Sequence, residues 1–469
     1  MLINGSLLFS LFVSTQAMSK KRPGQVVANR TELAASGPKT VRLAIVGFGT
    51  VGTGTAKVLL EHQNEVERRL GCRLELKTVC EVQKKDLSWL PRSVHVTSDW
   101  KQVVADPEID VVVELIGGVT HAREVAVAAI EARRHLVTAN KQLMAEYGVE
   151  LAELARQRGV HLGIEACVMG GTPLLHAVRE GLAGEHFTAA YGILNGTTNY
   201  ILTEMERRNC SFGDALAEAQ EKGYAERDPT FDVEGYDARY KITILAMMCF
   251  GMAVRVKDIP AEGITRIDPI DFAYAHRLNH TIRLIAGARR RAQGRLEIFV
   301  RPMMIPKTSP LAHVQGSING VLLIGNKGGN TTMTGRGAGG EPTGVAVLSD
   351  VVEIARAILS NGSTTTPLGY THWHPARIAQ AGENEMMAYL RLVVRDRPGI
   401  LARVCSILAR HRINIDSVLQ EPAMPKKHLP FVMTLEPTRE KFVARAVKEI
   451  ARLSFNAEPP LMMPFADLP

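Results

Sequence analysis

Cysteine is scarce and scattered. Cys72, Cys80, Cys167, Cys210, Cys249 and Cys405 are spread through 469 residues without a CxxC pair, which argues against a disulfide framework or a zinc module and for reduced thiols in a cytoplasmic protein. Aromatic residues make up only 5% of the chain. The Lys and Arg that leave a formal net charge of +8 are scattered rather than gathered in stripes, so no nucleic-acid partner is expected. No apolar run reaches the roughly 18 residues that a membrane span needs, so no membrane partner is expected either. The opening MLINGSLLFSLFVSTQA has a short apolar stretch with no Lys or Arg before it, so the basic region of a secretory signal is missing. Residues 1–38 read as an upstream extension and disordered leader, with MSKKRPGQ an alternative start.

The remainder is long enough for two or three cores. From Val41, VRLAIVG, LELKTVCEV, DVVVELIGG, HLVTANK and VHLGIEA alternate with helical stretches such as TGTAKVLLEHQNEVERRL, AREVAVAAIEARR and GVELAELARQRG. That rhythm predicts a parallel sheet with helices on both faces over residues 39–166. VAVLSDVVEIARAIL, within about 340–370, reads as a helix that returns to complete this domain. Residues 167–339 change character, with longer strands HFTAAYGILNG and LEIFVRPMMIP and helices SFGDALAEAQEKG and YDARYKITILAMMCFG, and predict an α+β domain. Asn326 to Gly344 is so rich in glycine that it reads as irregular chain. After linker-like NGSTTTPLG and AGENE, residues 386–469 form a third unit of strand, DxPG turn, helix and strand, followed by LPFVMTLEP and REKFVARAVKEIARL.

Gly47, Gly49 and Gly52 form GxGxxG between the first strand and its helix, the context of a Rossmann dinucleotide site. Gly47 permits a tight turn, Gly49 lets backbone approach a pyrophosphate, and Gly52 allows close helix packing, while the helix start supplies a positive end for the phosphates. Phe48, Thr50 and Val51 fill the spacing and count as cofactor-binding with them. Glu81 ends the second strand, where a carboxylate receives ribose hydroxyls and favours NAD, while Lys84 and Lys85 can accept the 2′-phosphate of NADP. The balance leans toward NAD, and both cofactors stay open.

The densest charge lies in AERDPTFDVEGYDARYK, Ala225 to Lys241. Asp237 and Lys241, four apart on a predicted helix, share one face, and Glu226, Asp228 and Asp232 crowd the irregular chain before them. Here the sequence closely resembles homoserine dehydrogenases, on Ala219, Gly223, Asp228, Pro229, Asp232, Gly235, Asp237 and Lys241. The resemblance runs from about Val41 to Leu359, and the tail resembles an ACT regulatory domain through RDRPGILARV and INIDSVLQ.

The resemblance implies reversible hydride transfer between L-aspartate 4-semialdehyde and L-homoserine, in threonine, methionine and isoleucine biosynthesis. It makes Lys141, Asp237 and Lys241 catalytic and Glu226, Asp232, Lys141 and Lys241 substrate-binding. The two carboxylates suit the substrate ammonium, and one lysine suits its carboxylate. The other lysine suits proton donation, and which is which stays open. The resemblance also places Lys141 and Gly340 at the cofactor, and a monovalent cation, Na+ or K+, on the Glu165 carboxylate and oxygens of Val168, Gly170 and Thr172. The tail implies an effector site at Asp396, Gly399, Leu401 and Asn414, with L-threonine as feedback ligand, and a homodimer or homotetramer. The competing reading is a non-catalytic amino-acid sensor with a vestigial dehydrogenase core. Cys167 reads as a buried structural thiol rather than a nucleophile, and His372 and His374 as a polar loop rather than a metal site.

Overall fold

The structure is a computed structural model that describes residues 39–468 except 361, 363–365, 367, 381 and 422–423. The expected leader, residues 1–38, lies outside the described residues, as does part of the linker-like stretch after Ser360.

Strands β1 (Thr40–Val46), β2 (Arg73–Cys80), β3 (His95–Thr97), β4 (Val111–Glu114), β5 (His135–Thr138) and β6 (Leu162–Gly163) form a sheet in the order β3-β2-β1-β4-β5-β6. Every pairing in it is parallel. β4 is buried along its whole length, because helices cover both faces of the sheet and leave its strands as continuous apolar runs. The strand order reverses between β1 and β4, and an open α/β sheet binds its ligand in the crevice at that reversal.

Two helical readings shift. The run after the glycine turn divides at His62 into Thr50–Glu61 and Gln63–Leu70, the second piece burying Val66. The helix expected around Gly148 begins earlier, at Lys141, because the Asn140 side chain caps it by accepting from the Leu143 N–H at 3.0 Å.

The second domain is an antiparallel sheet. It contains β7 (Phe187–Ile193); a two-residue strand β8 (Met252–Ala253) lies outside it, and β9 (His280–Arg290), β10 (Leu296–Pro306), β11 (Ile318–Gly325) and β12 (Asn330–Arg336) complete it in the order β10-β9-β7-β11-β12. Helices Gly196–Arg208 and Tyr236–Phe250 pack beside it, and apolar side chains such as Leu202 and Ile244 are fully enclosed.

The glycine-rich segment is the clearest correction. Asn330–Arg336 is an edge strand with alternating exposure, and a helix starts at Gly340 and runs to Ser360. Here glycine serves close approach. A Cβ on Gly335 would sit 2.2 Å from the Thr172 hydroxyl, and one on Gly344 2.7 Å from the Thr55 backbone nitrogen. Helix Gly340–Ser360 therefore packs backbone to backbone against Thr50–Glu61 and completes the nucleotide-binding domain.

Beyond a short strand β13 (His374–Pro375), which pairs with β8, lies the third unit. Its strands β14 (Glu385–Val394), β15 (Ile415–Gln420), β16 (Leu429–Arg439) and β17 (Leu461–Pro464) take the order β15-β16-β14-β17, with helices Ile400–Arg410 and Glu440–Ile450 between them. This is the ferredoxin-like arrangement expected, completed by a last strand too short to show in the sequence. Met463, Val432 and Tyr389 are buried in the core shared with the second domain. Among the described residues no helix is long and apolar enough to cross a membrane.

Candidate active site

The turn Gly47–Gly49 lies at the sheet's reversal. Gly47 adopts φ +94, and a Cβ there would meet the Leu115 carbonyl oxygen at 2.6 Å. A Cβ on Gly52 would meet the Gly47 carbonyl oxygen at 2.3 Å, whereas one on Gly49 would meet nothing within 4 Å. The chain is thus closed beneath the turn and open above it, as a bound pyrophosphate requires. A cavity of about 700 Å³ opens there, lined by Gly49, Thr50, Lys57, Lys85, Arg336 and Gly340.

Glu81 reaches this turn. Its carboxylate accepts from the Phe48 N–H at 3.1 Å, the Gln83 N–H at 2.9 Å and Lys85 Nζ at 2.7 Å, and Lys85 also donates to the Phe48 carbonyl at 2.9 Å. Burial works against the anion, but these donors outweigh it and hold Glu81 below the usual carboxylate range.

On the far side of the crevice four elements converge on Asp237. Helix Tyr236–Phe250 starts after Gly235, whose φ of +80 turns the chain sharply. Asp237, 2% exposed, holds Lys241 from the next turn at 2.7 Å and pairs through its other oxygen with Lys141 of the nucleotide-binding domain. Lys241 Nζ also donates to the Leu194 carbonyl at 2.7 Å, just past β7. Asn195 donates through Nδ2 to Asp237 at 2.9 Å and Asp232 at 2.7 Å, while its Oδ1 accepts from the Thr198 N–H as cap of helix Gly196–Arg208.

This geometry separates the lysines. Burial lowers both, but for Lys141, 34% exposed at the crevice, the Asp237 carboxylate prevails and keeps its ammonium above the ordinary range. For Lys241, 9% exposed, burial joined by repulsion from Lys141 outweighs Asp237 and brings it below. Asp237 is held far below the normal carboxylate range: burial opposes its charge, and the two lysines overcome it. Burial and the neighbouring Asp237 charge raise Asp232. Two titratable groups of one type pushed in opposite directions are an arrangement that proton chemistry uses and that structural ion-pair networks also produce.

Lys141, Asp232, Asp237 and Lys241 therefore meet in space, whereas Glu226 is exposed and joins no ion pair among the described residues. Asn195 is a site residue that the sequence reading does not single out; the signal that could have found it is an Asn at a strand-to-helix junction, in NGTTNYI. Glu114 at the end of β4 went unnoticed. It accepts from the Ile116 N–H and the Thr138 hydroxyl, both at 2.6 Å, and burial pushes it up to about 7.

The Glu165 carboxylate, expected at a cation, is buried. It accepts from the Leu175 N–H at 3.0 Å and the His176 N–H at 2.6 Å. Burial, strengthened by Asp350 and opposed by His176, pushes it up to about 7. Val168 is fully buried, Gly170 lies against the Thr343 hydroxyl, and the Thr172 hydroxyl points to the Arg336 carbonyl at 3.5 Å. In the third unit Gly399 takes φ +89 before helix Ile400–Arg410, with Asp396 and Leu401 exposed around it. Asn414 is exposed and donates to Glu436 at 3.1 Å. Cys167 is buried, and burial, reinforced by nearby carboxylates, drives its thiol well above the usual range, against a nucleophilic role.

Family models match three stretches: the homoserine dehydrogenase NAD binding domain over residues 47–165, homoserine dehydrogenase over 173–352, and the ACT domain over 388–455. A homoserine dehydrogenase of Pseudomonas aeruginosa is 40% identical over 421 residues, spanning 88% of this chain and 96% of that protein. The crystal structure of a Thiobacillus denitrificans homoserine dehydrogenase superposes with a TM-score of 0.85 at 37% identity, covering 92% of this chain and 99% of the other. A hyperthermophilic archaeal homoserine dehydrogenase in complex with NADPH aligns with a TM-score of 0.58 at 26% identity, over 69% of this chain and 99% of the other.

Proposed function

The chain belongs to the homoserine dehydrogenase family, and from that premise we propose that it interconverts L-aspartate 4-semialdehyde and L-homoserine, with Lys241 as proton donor and Lys141 as the cation that holds the substrate carboxylate. The observation that carries this reading is the Lys141–Asp237–Lys241 cluster, with Asp237 and Lys241 buried and Lys141 part-exposed.

Bound NADH or NADPH supplies the hydride. Lys241, lowered by burial and by Lys141, releases a proton to the forming alkoxide more readily than an ordinary lysine. In the reverse direction its neutral amine takes that proton back. Lys141 stays fully charged beside Asp237 and keeps a free side toward the crevice, which suits the substrate carboxylate. Asp237 binds no proton itself; it fixes both nitrogens. Asp232 is raised by burial and Asp237 and would welcome the substrate ammonium, with Glu226 from the exposed rim as its partner.

For the cofactor, Glu81 and Lys85 act as an exchangeable pair. Ribose hydroxyls of NAD bond to Glu81 with Lys85 left in place, while the 2′-phosphate of NADP draws Lys85 away. The salt bridge between them supports use of both nucleotides. A sodium or potassium ion is proposed on the Glu165 carboxylate and the oxygens of Val168, Gly170 and Thr172. No hydrogen bond reaches the carbonyls of Val168 or Gly170 among the described residues, and the Glu165 carboxylate, which accepts two backbone N–H bonds, keeps lone pairs for an ion. L-threonine is proposed as feedback effector at the Gly399 turn, and the assembly as a homodimer or homotetramer in the cytoplasm, serving threonine, methionine and isoleucine synthesis.

The test is initial-rate oxidation of L-homoserine with NAD and NADP in parallel, with and without potassium and L-threonine. Turnover with homoserine that vanishes in Lys241→Ala supports the reading. Folded protein inert with both nucleotides would sink it.

A further inference from the structure

We propose that His176, Asp350 and Glu353 form a binding site for one first-row divalent metal ion of the zinc or cobalt type. The site lies at the seam between helix Gly340–Ser360 and the segment after Cys167. Asp350 and Glu353 stand three apart, so they project from one side of that helix. His176 Nε2 lies 2.8 Å from Asp350 Oδ1 and 3.0 Å from Glu353 Oε2, and the ligand atoms of all three lie within 4.8 Å of one another. Ligands about 2.0 Å from a tetrahedral zinc stand roughly 3.3 Å apart. Spreading these side chains by a few tenths of an ångström therefore admits an ion, with water as fourth ligand.

Two further observations point the same way. The second imidazole nitrogen, Nδ1, lies 3.6 Å from Glu165 Oε2, beyond a hydrogen bond but on the side from which an outer carboxylate commonly orients a metal-bound histidine. Acidic groups also crowd a sealed region. Glu165 and Asp350 are shut from solvent beside Glu353, and Arg179 is shared between Glu353 and Glu180. A divalent ion offsets anionic charge whose burial is costly. Entry is available, because His176 and Glu353 border a cavity of about 650 Å³. One imidazole and two carboxylates suit borderline first-row ions. The role is that of a staple, since the ion joins the helix that closes the nucleotide-binding domain to the segment leading into the second.

Full-length protein stripped with a chelator and desalted is titrated with Zn2+ against a chromophoric chelator, and in parallel with Co2+ while visible absorption is recorded. One equivalent of Zn2+ is expected to bind, with a cobalt ligand-field band. His176→Ala and Glu353→Gln are each expected to weaken binding at least tenfold, and His372→Ala/His374→Ala is expected to leave it unchanged. Glu353 is partly exposed, so its isosteric variant tests the site even where His176→Ala destabilises the fold. Failure of the stripped protein to hold an equivalent overturns the proposal, as does binding that both cluster variants leave intact. Neither readout depends on turnover, so the dehydrogenase reading stands or falls separately.

Discussion

Asp237 and Lys241, one helical turn apart, form a buried ion pair of 2.7 Å, and the free side of the same carboxylate holds Lys141 from another domain. Because one anion fixes both cations, their roles separate by exposure. Lys241→Ala is expected to lower kcat by about 10²–10⁴, the usual worth of a positioned acid. Lys241→Arg should not restore it, because a guanidinium does not give up its proton. Lys141→Ala is expected to act mainly on the KM for homoserine, with Lys141→Arg recovering part. Homoserine oxidation needs neutral Lys241, so its rate should rise with pH and level off below the ordinary lysine range, while semialdehyde reduction falls over the same window. Profiles in both directions check this, and equal profiles for wild type and Lys241→Arg would refute the assignment.

The parts of this site legible in the sequence were those fixed by short-range rules. GxGxxG before a helix, and Asp237 with Lys241 four apart, follow from backbone geometry and helix period. The meeting of Lys141 with Asp237 is 96 residues apart by their numbers and arises from packing between two domains, so only the family resemblance brought them together. Asn195 was not legible because a cap and a site residue look alike in sequence: its Oδ1 caps a helix, while its Nδ2 serves Asp232 and Asp237. Asn326 to Gly344 misled for a physical reason. High glycine content signals loop when judged by entropy, yet Gly335 and Gly344 sit where neighbouring atoms leave no room for a Cβ. Those neighbours are far away in sequence.

Lys85 is tied to Glu81 and to the Phe48 carbonyl, which predicts opposite effects of the two side chains on cofactor choice. Lys85→Ala should raise the KM for NADP about tenfold, the loss of one charge-assisted contact to phosphate, and leave NAD within about twofold. Glu81→Gln removes the anion that repels a 2′-phosphate and should shift preference toward NADP. Parallel KM measurements decide; a uniform loss with both nucleotides would place Lys85 at the pyrophosphate instead.

His135 Nδ1 accepts the backbone N–H of His161 at 2.9 Å, and the two rings lie 5.1 Å apart. Burial, aided by His161, brings His135 down to about 4 from 6.5. A histidine depressed in the folded state takes up a proton on unfolding, so its contribution to stability is complete above 6.5 and is lost as pH falls toward about 4. That loss is at most ~3 kcal/mol. His135→Asn keeps an acceptor that does not titrate, and chemical denaturation between pH 7 and 4 should show a shallower decline for the variant. Parallel declines would assign the acid sensitivity elsewhere.

The joint between the third unit and the second domain is polar and sealed. Asp271, in the first turn of helix Pro269–Arg277, accepts from the Tyr389 hydroxyl and from Arg391 Nη1, both at 2.6 Å, and from the Asp268 N–H at 2.9 Å. Arg391 also donates to the Arg266 carbonyl at 3.1 Å. Burial pushes Asp271 up to about 6 even with Arg391 pulling it down, so the pair is held under strain from desolvation and neither partner can be removed alone. Arg391→Met is expected to cost about 3–5 kcal/mol by stranding a buried carboxylate. Adding Asp271→Asn should return a large part of that loss, because the stranded charge is gone; the coupling is read from a double-mutant cycle. Strands β14 and β16 connect this joint to the turn at Gly399, so if L-threonine is the effector proposed above, the double variant, folded but without its ion pair, should also respond to it more weakly. Asn414→Ala, which leaves the joint intact, is expected to lose the response through weaker effector binding alone. If the double variant kept the full response, the Asp271–Arg391 joint would be a structural anchor and the effector signal would travel by another route.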